Sequence, residues 1–253
     1  LSYENASANI KAEIPHWDFD KTVQQANSKW NKELNKIQIK ADDETKKVFY
    51  TALYHTMFAP SVFNDANGDY RGTDKKVYKK AGFTNYTTFS LWDTYRALHP
   101  LYTITQPDKI NDIVKSFLAI YQQQGRLPVW HLMGNETNCM NANHSIPVIV
   151  DAYFKGYRDY DTALAYEALK KTAMQTRDGM DYVQKLQYIP ADSLTETVAN
   201  ALEYAIDDWC IARMAKDMNK MEDYDYFSKR ANLYKLYFDK ETTFMRGKLK
   251  NGQ

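Results

Sequence analysis

Amphipathic helical segments separated by short polar turns recur through most of the sequence. Between residues 161 and 238 four such segments follow one another, at 161–176, 178–186, 195–218 and 222–238. Two earlier segments, 19–37 and 107–121, also carry apolar residues on one face at helical spacing. No sequence repeat of fixed period accompanies the pattern. It predicts an all-α fold of about nine helices with little strand, in which helical hairpins pack around a common centre.

Residues that begin and end helices mark the limits of several segments. Pro107 occupies a first-turn position and Gly125 follows the last apolar residue of the same segment, as expected for the two ends of a helix. Asp42 or Asp43 is placed to cap the helix that follows it. A further helix is predicted to open at Asp93, and a proline seven positions later to kink or end it.

Two long polar stretches, 60–83 and 126–143, interrupt the helical pattern, and loops of this length in compact domains are usually functional. The second stretch contains the string G-N-E-T-N-C-M at 134–140, and the string S-L-W-D-T at 90–94 follows an extended segment at 84–89. Both strings set polar or charged groups near aromatic residues. A sugar has hydroxyls that need polar partners and a C–H face that packs on an aromatic ring. The two strings therefore indicate a carbohydrate site.

The carboxylates in these strings also have simpler structural interpretations. Asp93 stands at a predicted helix start, where a negative charge stabilises the positive end of the helix dipole. Glu136 lies in a loop, where backbone N–H groups can hold a carboxylate. The sequence leaves these alternatives open, beside the role of hydroxyl acceptor for Asp93 and of ring-orienting group or general acid for Glu136.

Composition excludes several classes of protein. Lys and Arg number 33 and Asp and Glu 32, so the net charge of +1 gives no electrostatic sign of nucleic-acid binding. No apolar run approaches the roughly 20 residues that span a bilayer. Cys139 and Cys210 match no metal or redox spacing, and we predict free, buried thiols at both positions.

Two further clusters suggest metal sites only superficially. His131 and His144, even with Cys139 between them, do not match a zinc spacing. Asp207 and Asp208 have no acidic partner one or two turns further along their helix, so a solvated helix face is the better prediction. Neither cluster predicts a metal site in this chain.

Taken together, these strings and several others resemble the family 92 glycoside hydrolases. The residues that carry the resemblance occur in the family's order along nearly the whole chain: Tyr54-His55, Phe63-Asn64-Asp65, Tyr70-Arg71-Gly72, Thr84-Asn85-Tyr86, Phe89 through Ala97, Arg126-Leu127-Pro128, Gly134-Asn135-Glu136-Thr137, His144-Ser145, Glu203-Tyr204-Ala205 and Asp207-Asp208-Trp209. At 141–143 the chain has Asn-Ala-Asn where the family usually has Ile-Gly-Tyr. The contacts of that loop are therefore expected to differ.

The resemblance implies a fold and an activity. Family 92 enzymes are calcium-dependent, inverting exo-α-mannosidases, common in Bacteroidetes, with an (α/α)6 toroid behind an N-terminal β-sandwich. Residues 1–253 are thus expected to form a single helical domain, a partial toroid without the β-sandwich and without the toroid's C-terminal part. The parent protein is expected to release terminal mannose from mannose-containing glycans, with α-1,2 preference. Its expected location is the periplasm, the cell surface or the exterior.

The resemblance also implies a division of labour along the enzyme. The expected substrate-binding residues in this chain are Phe89, Trp92, Asp93, Asn135, Glu136 and His144. The family's strings for the general acid, the calcium ligands and the base, E-G-N-x-W-Q, N-E-P and G-N-x-D-x-G, do not occur in this sequence. No catalytic residue is therefore expected in this chain, with Glu136 left as the alternative candidate, and the calcium of the complete enzyme is expected to have its ligands mostly outside this chain.

A rival interpretation is a helical carbohydrate-binding or interaction module without chemistry of its own. On either interpretation an incomplete toroid leaves apolar helix faces exposed. These include Val198, Leu202 and Trp209 on one helix and Tyr226 and Tyr234 on another. Faces of this kind favour self-association, most simply as a two-fold dimer.

Overall fold

The computed structural model describes residues 2–253 and consists mainly of α-helices. In that part of the chain eleven α-helices follow one another: α1 Tyr3–Glu13, α2 Phe19–Leu34, α3 Asp43–His55, α4 Leu91–Thr94, α5 Leu98–Thr105, α6 Ile110–Gln124, α7 Ser145–Phe154, α8 Thr162–Ala173, α9 Met180–Leu186, α10 Thr197–Asp217 and α11 Met221–Arg230. Short 3-10 turns occupy Pro107–Lys109 and Leu233–Tyr237. The all-α class predicted from the periodicity is confirmed.

The helices differ from the sequence prediction at two places. Helix α1 was not predicted, and none of its residues is buried. The segment predicted as one helix from Asp93 is instead α4 followed by α5. In a continuous helix Pro100 would lack the N–H that bonds the Arg96 carbonyl, and its ring would clash with that carbonyl. The chain breaks before this point, and Pro100 lies in the first turn of α5.

Polar side chains and glycine define several helix ends. Asp18, Asp42 and Asp161 each accept a hydrogen bond from the backbone N–H three residues later, and so cap α2, α3 and α8. Gly125 follows α6 with φ +80°, a left-handed conformation that glycine adopts without strain. The predictions for Asp42 and Gly125 are confirmed.

Helix α11 ends earlier than predicted. The segment 222–238 was predicted as one helix, but the α-helix stops at Arg230. The Asn232 side chain donates to the Ser228 carbonyl at 2.9 Å, and this contact competes with the backbone hydrogen bond that would continue the helix. A 3-10 turn replaces the last α-helical turns.

Nine short strands complete the fold in residues 2–253: β1 Ser61–Val62, β2 Tyr70–Arg71, β3 Val77–Tyr78, β4 Tyr86–Thr87, β5 Phe89–Ser90, β6 Trp130–Leu132, β7 Asn135–Glu136, β8 Phe238–Asp239 and β9 Phe244–Met245. All pairings are antiparallel and join β1 to β4, β2 to β3, and β8 to β9, while β5, β6 and β7 form one three-stranded sheet. The polar stretches 60–83 and 126–143 are thus ordered by short hairpins.

The helices pack in pairs around one large core. Helix α10 contacts α7, α8 and α11, and α6 contacts α7 and α8, an arrangement that matches the incomplete helical toroid expected above. The core is aliphatic and aromatic, and its fully buried members include Phe89, Leu91, Phe117, Leu127, Ile149, Leu169, Ile211 and Phe227. A smaller cluster around Met180, Ile189 and Tyr237 packs where α9 meets α10. Among the helices of residues 2–253, none has the length and apolar character needed to cross a membrane.

The two cysteines differ in environment. Both are free thiols, as predicted, but only Cys210 is buried. Cys139 lies in the exposed segment that follows β7. The prediction of a buried thiol at Cys139 is therefore wrong.

Candidate functional site

The three-stranded sheet brings the two polar strings together. In this sheet Ser90 pairs with Trp130, and His131 pairs in turn with Glu136. Strand β5 leads directly into α4, so Trp92 and Asp93 follow the sheet within one helical turn. Residues that are about forty positions apart in sequence therefore form one surface.

Helix α4 presents an indole and a carboxylate on this surface. Trp92 is half-buried and Asp93 is exposed. The Ser90 hydroxyl donates a hydrogen bond to the Asp93 carboxylate, and the Trp92 indole N–H donates to Glu203 Oε1 at 3.1 Å. Asp93 also lies in the first turn of α4, so both interpretations proposed for it, hydroxyl acceptor and helix-end charge, agree with its position.

Glu203 of α10 is the centre of a group of polar contacts behind Trp92. Its Oε2 accepts the Tyr95 hydroxyl at 3.1 Å and lies 3.2 Å from His144 Nε2, and an Arg96 nitrogen lies 3.7 Å from Oε1. The Tyr95 and His144 rings stack at a centroid distance of 4.0 Å. Burial and the adjacent Glu203 carboxylate raise the pKa of Tyr95 to about 12, so its hydroxyl stays a donor at neutral pH.

Asp207 holds the start of α7. Its two oxygens accept from the Asn143 backbone N–H at 2.9 Å and contact His144 Nδ1 at 3.1 Å. Because Asp207 is 1% exposed, the predicted solvated helix face is wrong at this position. The His144 side chain has no exposed surface, so it supports the site from within and does not reach solvent.

Asp208, the neighbour of Asp207, faces a different helix. Arg230 of α11 donates to both of its oxygens, at 2.8 and 2.5 Å, and Asp208 is only 2% exposed. Burial raises the pKa of Asp208 to about 6, against the opposing effect of Arg230. The prediction of a solvated face is wrong here too, because α10 is covered by α7, α8 and α11. The pair ties α10 to α11.

Glu136 is held by its own loop. Its carboxylate accepts from the backbone N–H groups of Val129, Trp130 and Asn138 at 2.8, 2.9 and 2.9 Å. This is the loop-held carboxylate that the sequence left open as an alternative. With both oxygens occupied in this way, the geometry gives no support to a general-acid role for Glu136.

The remaining predicted residues fall into different environments. Asn135 is exposed, and its side-chain oxygen accepts from Lys75 Nζ. Phe89 is 1% exposed and packs edge-on against Phe117 with ring centroids 4.7 Å apart, so it offers no surface to a ligand. Among the predicted residues, Asp93 and Asn135 are thus exposed, Trp92 and Glu136 are partly exposed, and Phe89 and His144 are buried.

Sequence reasoning missed the polar partners of this surface. Tyr95, Arg96, Glu203 and Asp207 were not proposed as site residues. Glu203 and Asp207 stand four positions apart on one helix, so they share a face. An acidic pair at that spacing within an otherwise well-packed helix was the available signal.

The segment 133–142, which contains the β6–β7 turn and the chain after β7, has an unusual backbone. Met133, Asn138, Met140 and Ala142 all have positive φ values, between 48° and 68°. Gly134 has φ +75°, and a Cβ there would lie 3.2 Å from the Phe63 ring. Strained backbone of this kind concentrates at binding loops.

The acidic residues of the described chain do not form a calcium site. Within residues 2–253 no three His, Cys, Asp or Glu side chains converge in a way that would hold a metal ion. Glu203 and Asp207 each use both oxygens on nitrogen or hydroxyl groups. The acidic side chains described in residues 2–253 therefore do not fit calcium.

Comparisons with known proteins agree on one family. The model of the glycosyl hydrolase family 92 catalytic domain matches residues 5–253. A family GH92 α-mannosidase from Bacteroides thetaiotaomicron, also solved in complex with mannoimidazole, is 42% identical with a TM-score of 0.96. A family GH92 inverting mannosidase from the same organism is 31% identical with a TM-score of 0.93. An uncharacterized secreted glycosidase of Arthroderma benhamiae is 27% identical.

These similarities cover nearly all of this chain but only part of each relative. The two bacterial structures cover 100% of this chain, which corresponds to 34% and 36% of their own lengths. For the fungal protein the shares are 98% and 30%. The chain thus spans about a third of the relatives it matches. It belongs to glycosyl hydrolase family 92 and corresponds to part of that family's catalytic domain.

Proposed function

We propose that the full-length protein is an α-mannosidase and that this chain supplies part of its sugar-binding surface. The observation that carries the proposal is the pairing, on the four-residue helix α4, of a half-buried Trp92 indole with an exposed Asp93 carboxylate. The indole gives a flat apolar surface for the C–H face of a mannose ring, and the carboxylate accepts hydrogen bonds from its hydroxyls. Asn135, on the neighbouring hairpin, adds an exposed amide.

The general acid and the general base of the reaction are proposed to lie in the full-length protein outside residues 1–253. An inverting glycosidase needs two carboxyl groups roughly 6.5–9.5 Å apart with a water molecule between them. Glu136, Glu203 and Asp207 are engaged by donors of the protein itself. The chain thus contributes ring binding and orientation, which lower the barrier by fixing the substrate near its reactive geometry.

Calcium dependence, α-1,2 specificity and export from the cytoplasm are parts of the same proposal. Calcium ligands would come from sequence outside residues 2–253, since the donors here do not fit the ion. Support for export comes from the relative described as a secreted glycosidase. Support for mannose comes from the two bacterial relatives described as mannosidases.

Hydrolysis of aryl glycosides by the full-length protein tests the proposal. We expect release of the aryl group from an α-mannoside but not from the matched α-glucoside, which differs in the orientation of the 2-hydroxyl. Treatment with a calcium chelator should abolish the activity, and added calcium should restore it. Mannose binding without turnover, with or without calcium, would instead identify a carbohydrate-binding module.

A further inference from the structure

We propose that Glu203 is a positioning residue that fixes the orientation of the Trp92 indole from helix α10. The inference rests on the proposed function, because it concerns the same sugar-binding surface. Its structural part, the control of the indole by Glu203, is measurable without any substrate. None of the residues that the sequence predicts to contact the sugar accepts a hydrogen bond from the Trp92 indole.

One carboxylate serves two aromatic donors of the same short helical segment. Glu203 Oε1 accepts from the Trp92 indole N–H, and Oε2 accepts from the Tyr95 hydroxyl, each at 3.1 Å. The indole N–H lies in the plane of its ring, so an acceptor at this distance restricts rotation of the whole ring. Trp92 is only half-buried, so packing alone does not fix the orientation of its ring.

Arg96 lies near both aromatic rings and near Glu203. Its guanidinium carbon lies 5.6 Å from the Trp92 ring centroid and 5.0 Å from that of Tyr95. Its Nη2 lies 3.7 Å from Glu203 Oε1 and donates a hydrogen bond to the Trp92 carbonyl at 3.2 Å. The position of the Arg96 cation thus depends in part on the Glu203 carboxylate. Loss of Glu203 would remove one contact from Arg96 and one from the Trp92 indole.

The same helix also holds the segment before α7. Asp207 stands one turn after Glu203 and binds the Asn143 N–H and His144 Nδ1, as described above. His144 Nε2 lies 3.2 Å from Glu203 Oε2, although without the alignment of a hydrogen bond. Helix α10 therefore contacts the start of α7 through Asp207 and α4 through Glu203.

Glu203 does not itself have the features of a sugar contact. Its side chain is 17% exposed, and both of its oxygens accept from protein donors. A hydroxyl of the substrate would have to displace one of these donors. The geometry therefore assigns Glu203 an effect that acts through Trp92.

A fluorine signal on Trp92 tests the positioning directly. The full-length protein is labelled with fluorotryptophan, and the Trp92 resonance is identified as the one lost in Trp92→Phe. In Glu203→Ala we expect this resonance to shift or broaden, and in Glu203→Gln, which keeps one acceptor oxygen, to stay near its original position. An unchanged Trp92 resonance in Glu203→Ala would overturn the proposal.

Asp223→Ala is the matched control. Asp223 also accepts a tyrosine hydroxyl and pairs with a cation, Tyr166 and Lys170 respectively, and its side chain is 21% exposed. It lies on α11, away from the sugar-facing surface. We expect Asp223→Ala to leave both the Trp92 resonance and the kinetics unchanged, and an equal response to the two substitutions would reduce Glu203 to a general stabilising role.

Kinetics of the same proteins connect the positioning to function. Glu203→Ala should lower kcat/KM for an aryl α-mannoside roughly 10- to 100-fold, Glu203→Gln less, and Glu203→Ala should add little in a Trp92→Phe background. Full additivity of the two substitutions would contradict the proposed route through the indole. If the unmodified protein does not cleave α-mannosides, the proposed function fails, while the fluorine experiment still decides the role of Glu203.

Discussion

Trp92 and Asp93 are adjacent residues whose side chains have different tasks. The indole is fixed from behind by a hydrogen bond, whereas the carboxylate is open to solvent and has the Ser90 hydroxyl as its donor. An exposed carboxylate can exchange water for sugar hydroxyls at little cost, while a fixed ring loses little conformational freedom on binding. The two residues together therefore suit recognition of a polyol.

Substitution of either residue should weaken catalysis by the full-length enzyme without unfolding it. We expect Trp92→Ala and Asp93→Asn each to lower kcat/KM by about 2–3 kcal/mol in transition-state terms, because each removes one contact to the ring. Asp20→Asn is the control for a purely helix-end charge, since Asp20 lies exposed in the first turn of α2. If Asp93→Asn behaves like Asp20→Asn in steady-state assays, Asp93 is only a helix-end charge.

His99 is a buried residue whose protonation should affect stability. Its ring is 4% exposed, packs edge-on against Tyr102 and Phe117, and leaves Nδ1 without a hydrogen-bond partner. Burial lowers the pKa of His99 from 6.5 to about 4. Above pH 6.5 the His99 ring is neutral in both the folded and the unfolded state. Between pH 6.5 and 4 this ring binds a proton only in the unfolded state, so the free energy of unfolding falls as the pH falls.

His99→Phe should remove part of this acid sensitivity. The pKa difference corresponds to about 3 kcal/mol between neutral and acidic pH, and phenylalanine has no proton to bind. The thermal midpoint of His99→Phe should therefore decline less steeply than that of the unmodified protein between about pH 6.5 and 4. His55→Phe replaces an exposed ring and is the control. Parallel pH profiles for His99→Phe and the unmodified protein would contradict this interpretation.

At the scale of secondary-structure elements, local signals were readable and long-range partners were not. The apolar periodicity of α2 and α6 and the cap at Asp42 predicted these helices close to their observed limits. The sheet that joins Ser90 to Trp130 leaves no trace in the periodicity of either segment, because its partners lie 40 residues apart. The same limit explains the error at Asp207, whose burial depends on the distant segment at His144.

The β6–β7 hairpin offers a test of how its loop is held. Glu136→Gln replaces a charged acceptor of three backbone N–H groups by an amide whose NH2 would face a donor. We expect a loss of stability of about 1–2 kcal/mol with the pH dependence of kcat unchanged. Glu13→Gln, at the exposed end of α1, is the control. Loss of one limb of the pH–rate profile would instead identify Glu136 as a proton-transferring group.

At the scale of the whole molecule, we expect the isolated chain to bind sugar but not to cleave it. The isolated 253-residue chain is expected not to release mannose from an aryl α-mannoside, with or without added calcium, since it lacks the family's strings for acid and base and its Glu136, Glu203 and Asp207 are held by protein donors. The full-length protein assayed in parallel is the positive control. Turnover by the isolated chain that disappears in Glu136→Gln would move the catalytic acid into this segment.

The outer face of α10 exposes several large apolar side chains. Ile206 and Trp209 are 40% and 57% exposed, and Tyr226 and Tyr234 continue the apolar surface onto the next elements at 40% and 36%. Leu202 and Ala231 line the groove between them. Neighbouring apolar side chains of this size are uncommon on soluble monomers, because the hydrophobic effect favours their burial against a second surface.

We therefore expect light scattering of the isolated chain to give a mass that rises with concentration toward that of a dimer. The double substitution Ile206→Lys with Trp209→Lys places two positive charges on the face and should return the mass to that of a monomer. Trp17→Lys removes a fully exposed indole that lies between α1 and α2 and does not line this groove, and it should leave the association intact. A monodisperse monomer for the unmodified chain, with cooperative unfolding and no binding of a hydrophobic dye, would contradict the prediction. In that case the exposed α10 face would be stable in water without a partner surface.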